Sequence, residues 1–186
     1  MQLQGKRIAI LATNGFEQSE LEVPLNKLKE AGAEVHVVSP QSGEIRGWDQ
    51  KDWGRPVKVD RKLSDVSADE YDALVLPGGQ INPDLLRVEE TALQLIRDFN
   101  KRKKVIAAVC HAPWLLIETG IAKGRKMTGY KSIRTDLINA GAKFEDSQVV
   151  ADQGIVTSRN PGDLDVFVAK IIEEVNEGQH EQRSAA

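Results

Sequence analysis

The chain has a single cysteine, Cys110, placed where an apolar run ends and a helix-like one begins. Residues 104–109 (KVIAAV) read as a buried strand, and residues 112–119 as a short helix closed by Gly120. Ala108 and Ala112 flank the cysteine and are small enough for a sharp turn. A strained turn of this kind lifts a nucleophile out of a sheet, and the positive end of the following helix is expected to favour a thiolate. The plainer reading is an inert core thiol, since free cysteine is among the most buried residue types.

His111 follows directly. Of the three histidines, His36 lies inside a predicted strand and His180 in the polar tail. If Cys110 uses a histidine base, His111 is the one available. Neighbouring side chains on a regular element point apart, so the pair can meet only across an unusual turn. Glu20, near the start of the first helix beside Leu21, reads as an exposed carboxylate suited to the helix dipole. Alternatively it faces Cys110 in the crevice, where burial would raise its pKa and let it donate a hydrogen bond to sulfur. Gly78-Gly79 follows another strand. Either it only makes a tight turn, or it lets backbone amides approach a substrate, Gly79 N–H pairing with that of His111 as an oxyanion hole. No G-x-G-x-x-G follows the first strand, so a dinucleotide is not indicated.

The elements that must position these residues alternate along the chain. Strands are expected at 6–12, 33–39, 72–76 and 104–109. Helices are expected after Asn14-Gly15, with Leu21, Leu25 and Leu28 and a stop at Gly32, and over 88–101, with Val88, Ala92, Leu95, Ile96 and Phe99 on one face. A helix over 132–140, a hairpin over 149–157 and a last helix from about Gly162, burying Leu164, Val168, Ile171 and Val175, complete the pattern. Residues 40–56 hold two tryptophans and show no period, and are expected to form a partly β excursion. Repeated strand–helix–strand units imply an α/β fold, a flavodoxin-like three-layer sandwich with a mostly parallel central sheet. In such sheets functional groups gather at the strands' carboxyl ends, where residues 14–20, 77–84 and 110–114 all fall.

The composition is that of an ordinary globular chain: 186 residues, 40% hydrophobic and 28% charged, with a net charge of −3. One domain over 1–178 with a polar tail at 179–186 is expected, with neither internal repeat nor linker. The acidic balance gives no electrostatic case for nucleic acid or a membrane surface, and the basic run Lys101–Lys104 reads as a solvated helix end. One cysteine forbids an internal disulfide framework, and no Cys/His spacing suggests zinc. No signal peptide is legible and no run nears the ~18 apolar residues of a membrane span, so the cytoplasm is the default location.

Three segments, GFEQSELEVP (15–24), DALVLPGG (72–79) and AAVCHAPWLL (107–116), together resemble the PfpI-like intracellular protease group of the DJ/PfpI superfamily. GRKMTGY (124–130), INAGA (138–142) and TSR (157–159) extend the likeness in order over nearly the whole chain. The resemblance implies the class I glutamine amidotransferase-like form of the fold. Cys110 would be the nucleophile, Glu20 the carboxyl touching its sulfur and His111 the base. Asp84 is the nearest equivalent of an acid that reaches the histidine from a neighbouring subunit. Gly78, Gly79, Tyr130 and Arg159 would line the substrate site, with no cofactor or metal. A homo-oligomer, dimer or higher, with the site near an interface is implied as well. Two departures stand out: Ala112 replaces a glycine usual after Cys-His, and residues 80–84 run one residue longer than the usual turn.

Two function classes follow. One is a stress-related cysteine hydrolase that adds its thiolate to a carbonyl, as a peptidase or as a glyoxalase or deglycase acting on methylglyoxal or its adducts. The other is a redox-responsive stress protein or holdase chaperone that senses oxidation at Cys110. His111 separates them, since sensing does not need a base. A glutamine amidotransferase-like activity is disfavoured because no downstream His-x-Glu pair is present.

Overall fold

A computed structural model describes residues 2–178. The tail from 179, with His180, lies outside the described residues. The elements, in chain order, are β1 (Arg7–Leu11), α1 (Gln18–Glu30), β2 (Glu34–Ser39), β3 (Glu44–Asp49), β4 (Asp52–Lys58), β5 (Arg61–Lys62) and β6 (Ala73–Leu76). Then follow α2 (Ile81–Leu86), α3 (Glu90–Lys101), β7 (Val105–Val109), α4 (Pro113–Glu118), β8 (Lys126–Met127), α5 (Arg134–Asn139), β9 (Lys143–Phe144), β10 (Val149–Asp152), β11 (Ile155–Ser158) and α6 (Leu164–Glu177).

The central sheet has seven strands in the order β10-β11-β7-β6-β1-β2-β5. Every pairing is parallel except β10 with β11. The central strands are apolar on both sides because helices cover both faces, and successive residues feed opposite layers. Ala9, Leu11, Leu74, Leu76, Ile106 and Ala108 pack under α3, α4 and α5. Ile8, Ile10, Val75, Val105, Ala107 and Val109 pack under α1 and α6. This is the three-layer α/β sandwich expected of the sequence.

Several local expectations are corrected. The helix expected from Val88 starts at Glu90, and Val88 is 82% exposed; the buried stripe is Ala92, Leu93, Leu95, Ile96 and Phe99. Leu25 is only partly buried, and the inner face of α1 carries Gln18, Glu20, Leu21, Pro24 and Leu28. The segment after Gly79, expected as a turn over 80–84, folds as the short helix α2. The excursion is the antiparallel β3–β4 hairpin, with an irregularity between Arg46 and Trp48. It is tied down where Trp48 N–H donates to Phe16 O at 2.6 Å and Arg55 N–H to Gln18 Oε1 at 2.8 Å.

Candidate active site

The carboxyl ends of β1, β6 and β7 lie side by side at the middle of the sheet, and each hands over to a segment carrying one part of the site. β7 ends at Cys110, whose φ is +63°. That is the left-handed region, sparsely used by residues with a side chain and costing ~1–3 kcal/mol when occupied. The chain is held there from both sides. Cys110 N–H donates to Ser158 O at 3.0 Å, and Cys110 O accepts from Tyr130 N–H at 2.8 Å. The left-handed turn brings two consecutive side chains together, so that Cys110 Sγ and His111 Nδ1 are 3.2 Å apart.

The imidazole of His111 is packed between rings. Tyr130 stacks on it with centroids 4.7 Å apart and planes 27° apart, and Trp114 meets it edge-on at 5.1 Å. Its Nε2 lies 3.1 Å from Ser132 Oγ. Burial pushes the pKa of His111 below its ordinary value, which keeps the ring neutral and able to accept a proton.

Glu20 sits in the first turn of α1 with no exposed surface. Its Oε2 accepts from Gly78 N–H at 2.9 Å, and its side chain also bonds Cys110. Burial pushes this carboxyl up to about 8, against the pull of the Gly78 amide; the Glu17 charge adds to the push. At neutral pH Glu20 is therefore mostly a protonated donor next to sulfur, and the exposed-carboxylate reading is ruled out.

Gly78 has no room for a side chain. A Cβ there would lie 2.6 Å from Glu20 Oε2 and from Val109 O, and 2.7 Å from Cys110 Cβ. Gly79, at φ +74°, would place a Cβ 2.6 Å from Glu17 N. The amides of Gly79 and His111, the pair expected to form an oxyanion hole, both point at the Cys110 sulfur. One expectation fails here. Burial, reinforced by the Glu20 charge, pushes the Cys110 thiol up, and the two amides only partly offset this. The helix-end effect that was to lower it is weak because α4 begins three residues later, at Pro113, and has only six residues. The resting site thus holds a neutral thiol, with proton acceptor and donors already in contact.

Tyr130 and Arg159 share the wall of an adjoining cleft of about 620 Å³, together with Lys131, Arg134, Phe144 and Asp146. Arg159 is held by Asp163, at 2.9 Å, and by Asp146, at 2.8 Å. Asp84 is exposed on α2, and neither ring nitrogen of His111 bonds to it within the chain. Among the described residues no group of three His, Cys, Asp or Glu side chains could hold a metal ion. No described helix is long and apolar enough to cross a membrane.

A family model described as the DJ-1/PfpI family matches residues 6–174. The chain belongs to the DJ-1/PfpI family. It is 44% identical over 163 residues to a Bacillus subtilis protein named as a candidate cysteine protease, YraA, covering 87% of this chain and 94% of that one. It is 42% identical over 164 residues to an Escherichia coli protein named protein/nucleic acid deglycase 2, covering 87% and 93%. Among solved structures, a two-domain Anabaena variabilis protein with DJ-1/ThiJ/PfpI-like and ferritin-like domains superposes with a TM-score of 0.87 at 33% identity. That match covers 97% of this chain and 52% of the other, so the chain spans about half of the two-domain protein.

Within this DJ-1/PfpI fold, sequence reading missed two residues that the geometry singles out. Asn82 is buried in α2. Its Oδ1 accepts from Thr13 N–H at 2.7 Å and its Nδ2 donates to Pro77 O at 2.8 Å, fixing the Gly78-Gly79 turn against β1. Ser132 holds the far nitrogen of His111. Asn82 had a legible signal, an amide beside Pro83 in a turn; a lone serine far along the chain had none.

Proposed function

We propose that this protein is a cofactor-independent cysteine hydrolase whose Cys110 sulfur adds to a carbonyl carbon. The observation that carries the reading is the left-handed turn at Cys110. It sets the sulfur 3.2 Å from His111 Nδ1 and within reach of the Gly79 and His111 amides and of Glu20. As the carbonyl carbon closes on sulfur, His111 takes the thiol proton and the two amides receive the oxygen that becomes negative. With an aldehyde such as methylglyoxal the product is a hemithioacetal. Glu20 then moves the proton from the former aldehyde carbon to its neighbour, and water hydrolyses the resulting thioester to lactate. With a methylglyoxal adduct on an amine or thiol, the hemiaminal or hemithioacetal first collapses to the aldehyde, its hydroxyl proton leaving with the freed amine or thiol, and the Cys110 sulfur then adds to that aldehyde as above. With a peptide, the tetrahedral adduct expels the amine, which takes the proton held by His111, leaving the sulfur acylated, and water then releases the acid.

Of these substrates we favour methylglyoxal and its adducts, in keeping with the deglycase name of the Escherichia coli relative. Cys110 is only 6% exposed, which suits a small carbonyl better than a folded peptide segment. Where the adduct sits on nucleic acid, the group recognised is the adduct; a net charge of −3 supplies no general attraction to the polymer. The test is lactate production from methylglyoxal and amine recovery from a methylglyoxal-modified peptide. Cys110→Ser is expected to abolish both while far-UV circular dichroism stays unchanged, and an unimpaired Cys110→Ser protein removes the nucleophile assignment. A cytoplasmic location belongs to the same proposal.

One observation favours a second reading. Glu20, whose side chain contacts Cys110, keeps a buried Oε1 without a hydrogen-bond partner, a ready contact for an oxygen of an oxidised thiol. Peroxide would supply the oxygen, two molecules being reduced to water as the thiol becomes a sulfinate. Glu20→Ala is then expected to lower the sulfinate yield seen by mass spectrometry under mild peroxide; equal yields contradict it.

A further inference from the structure

We infer that Ser132 is the residue that positions His111, completing within one chain a Cys110–His111–Ser132 relay. The inference rests on the hydrolase reading above and deepens it.

The two nitrogens of His111 are both engaged, Nδ1 with Cys110 Sγ at 3.2 Å and Nε2 with Ser132 Oγ at 3.1 Å. For Nδ1 to accept the thiol proton, the neutral ring must carry its own proton on Nε2. Nε2–H then donates to the Ser132 hydroxyl oxygen. After transfer both nitrogens carry protons, Nδ1–H facing the sulfur and Nε2–H still donating to Ser132. Ser132 accepts throughout, so nothing reorganises at that end during proton transfer. The stacked Tyr130 ring and the edge of Trp114 hold the plane of the imidazole.

Ser132 is itself placed by structure. A 3₁₀ turn over Lys131–Ile133 is anchored by buried Ile133, while Ile133 N–H donates to Tyr130 O at 3.0 Å and Tyr130 N–H donates to Cys110 O. The segment that brings the stacking ring thus brings the hydroxyl too.

A serine in this role differs from a carboxylate in a measurable way. The titratable groups around the ring are Cys110 at Nδ1, Tyr130 on its face and Glu20 beyond the sulfur. Arg87 sits over the Trp114 ring at 5.0 Å, and Asp136 accepts from the Trp114 indole N–H at 2.8 Å. None places a negative charge on Nε2. The ring is thus stabilised in its protonated form only by a neutral acceptor, and it stays a weak base.

The test is the pH dependence of two quantities on the intact protein: the rate of Cys110 alkylation by iodoacetamide, and kcat/KM for methylglyoxal. Ser132→Ala is expected to lower kcat/KM about tenfold. It should move the acidic limb of both profiles to lower pH, because the imidazolium loses its acceptor. Ser132→Thr should keep the wild-type profile, and Ser132→Asp should move the limb to higher pH. Wild-type profiles for Ser132→Ala overturn the inference, as does a limb that moves in Asp84→Asn but not in Ser132→Ala; in that case the acceptor comes from a second subunit. If methylglyoxal is not turned over but the alkylation profiles move as stated, the hydrolase reading fails and the role of Ser132 stands.

Discussion

At the residue scale, the site depends on two buried acids in contact. The Glu20 charge raises the cost of ionising Cys110, while burial keeps the proton on Glu20 against the hydrogen bonds from Gly78 and Cys110, so at neutral pH the pair holds its protons and gives one up only when a base or substrate is in place. This has a consequence for stability. In the unfolded chain Glu20 titrates near 4.5 and in the folded one at about 8, so the native state holds an extra proton between those values. The stabilisation is complete below the lower value and is lost as pH rises through the upper one, by at most about 1.4 kcal/mol per pH unit. Glu20→Gln is expected to flatten that decline in denaturant titrations between pH 5 and 8; an unchanged slope contradicts a buried, protonated Glu20. Cys110, His111, Glu20 and the Gly-Gly pair were legible in the sequence because each stands at a strand end or a helix start. Ser132 was not, because its role arises from a fold contact between segments 21 residues apart. The direction of the Cys110 shift was misread as well: the turn that exposes a nucleophile to its partners also buries it under Gly78 and Glu20.

At the element scale, the turn from β6 into α2 carries the steric burden. Gly78 touches the β7 carbonyl and the two reacting side chains, and Asn82 clamps the turn to β1. Gly78→Ala is expected to push Glu20 off the sulfur, cutting kcat/KM at least a hundredfold and costing about 1–3 kcal/mol of stability. Retention of full activity would show that the close packing here is not needed. The sheet strands were readable from apolar runs because both faces are covered, whereas the β3–β4 hairpin was legible only as a partly β excursion. β4 is exposed or half-exposed at every position and β3 alternates over only four residues, too short a pattern to bound the strands. Gln18 fixes the hairpin to α1, and Gln18→Ala is expected to speed amide exchange over 52–58 without altering exchange in β6 or β7; uniform exchange rates would contradict that anchoring role. α2 was missed because Pro83 and its six-residue length look like turn chemistry.

At the scale of the whole molecule, Ile81 and Leu85 on α2 and Val88 just beyond it are exposed apolar residues in the segment that follows the Gly78-Gly79 turn, 40%, 48% and 82% exposed. Helical spacing had placed Val88 under the sheet, and its exposure makes this segment the surface on which we place the self-association that the family resemblance implies. Light scattering is expected to give at least a dimer, and Leu85→Lys a smaller species. The fold order was recoverable from the strand–helix alternation because topology follows from covered strands and short connections. Which surface is left for a partner was not, since it depends on which apolar residues the finished fold fails to cover. The central claim is that Cys110 does the chemistry, and one comparison tests it most directly: lactate formed from methylglyoxal by the wild-type protein and by Cys110→Ala, with folding matched by circular dichroism. Turnover by the wild type and none above background by the variant is the expected result; equal turnover by both would contradict the site described.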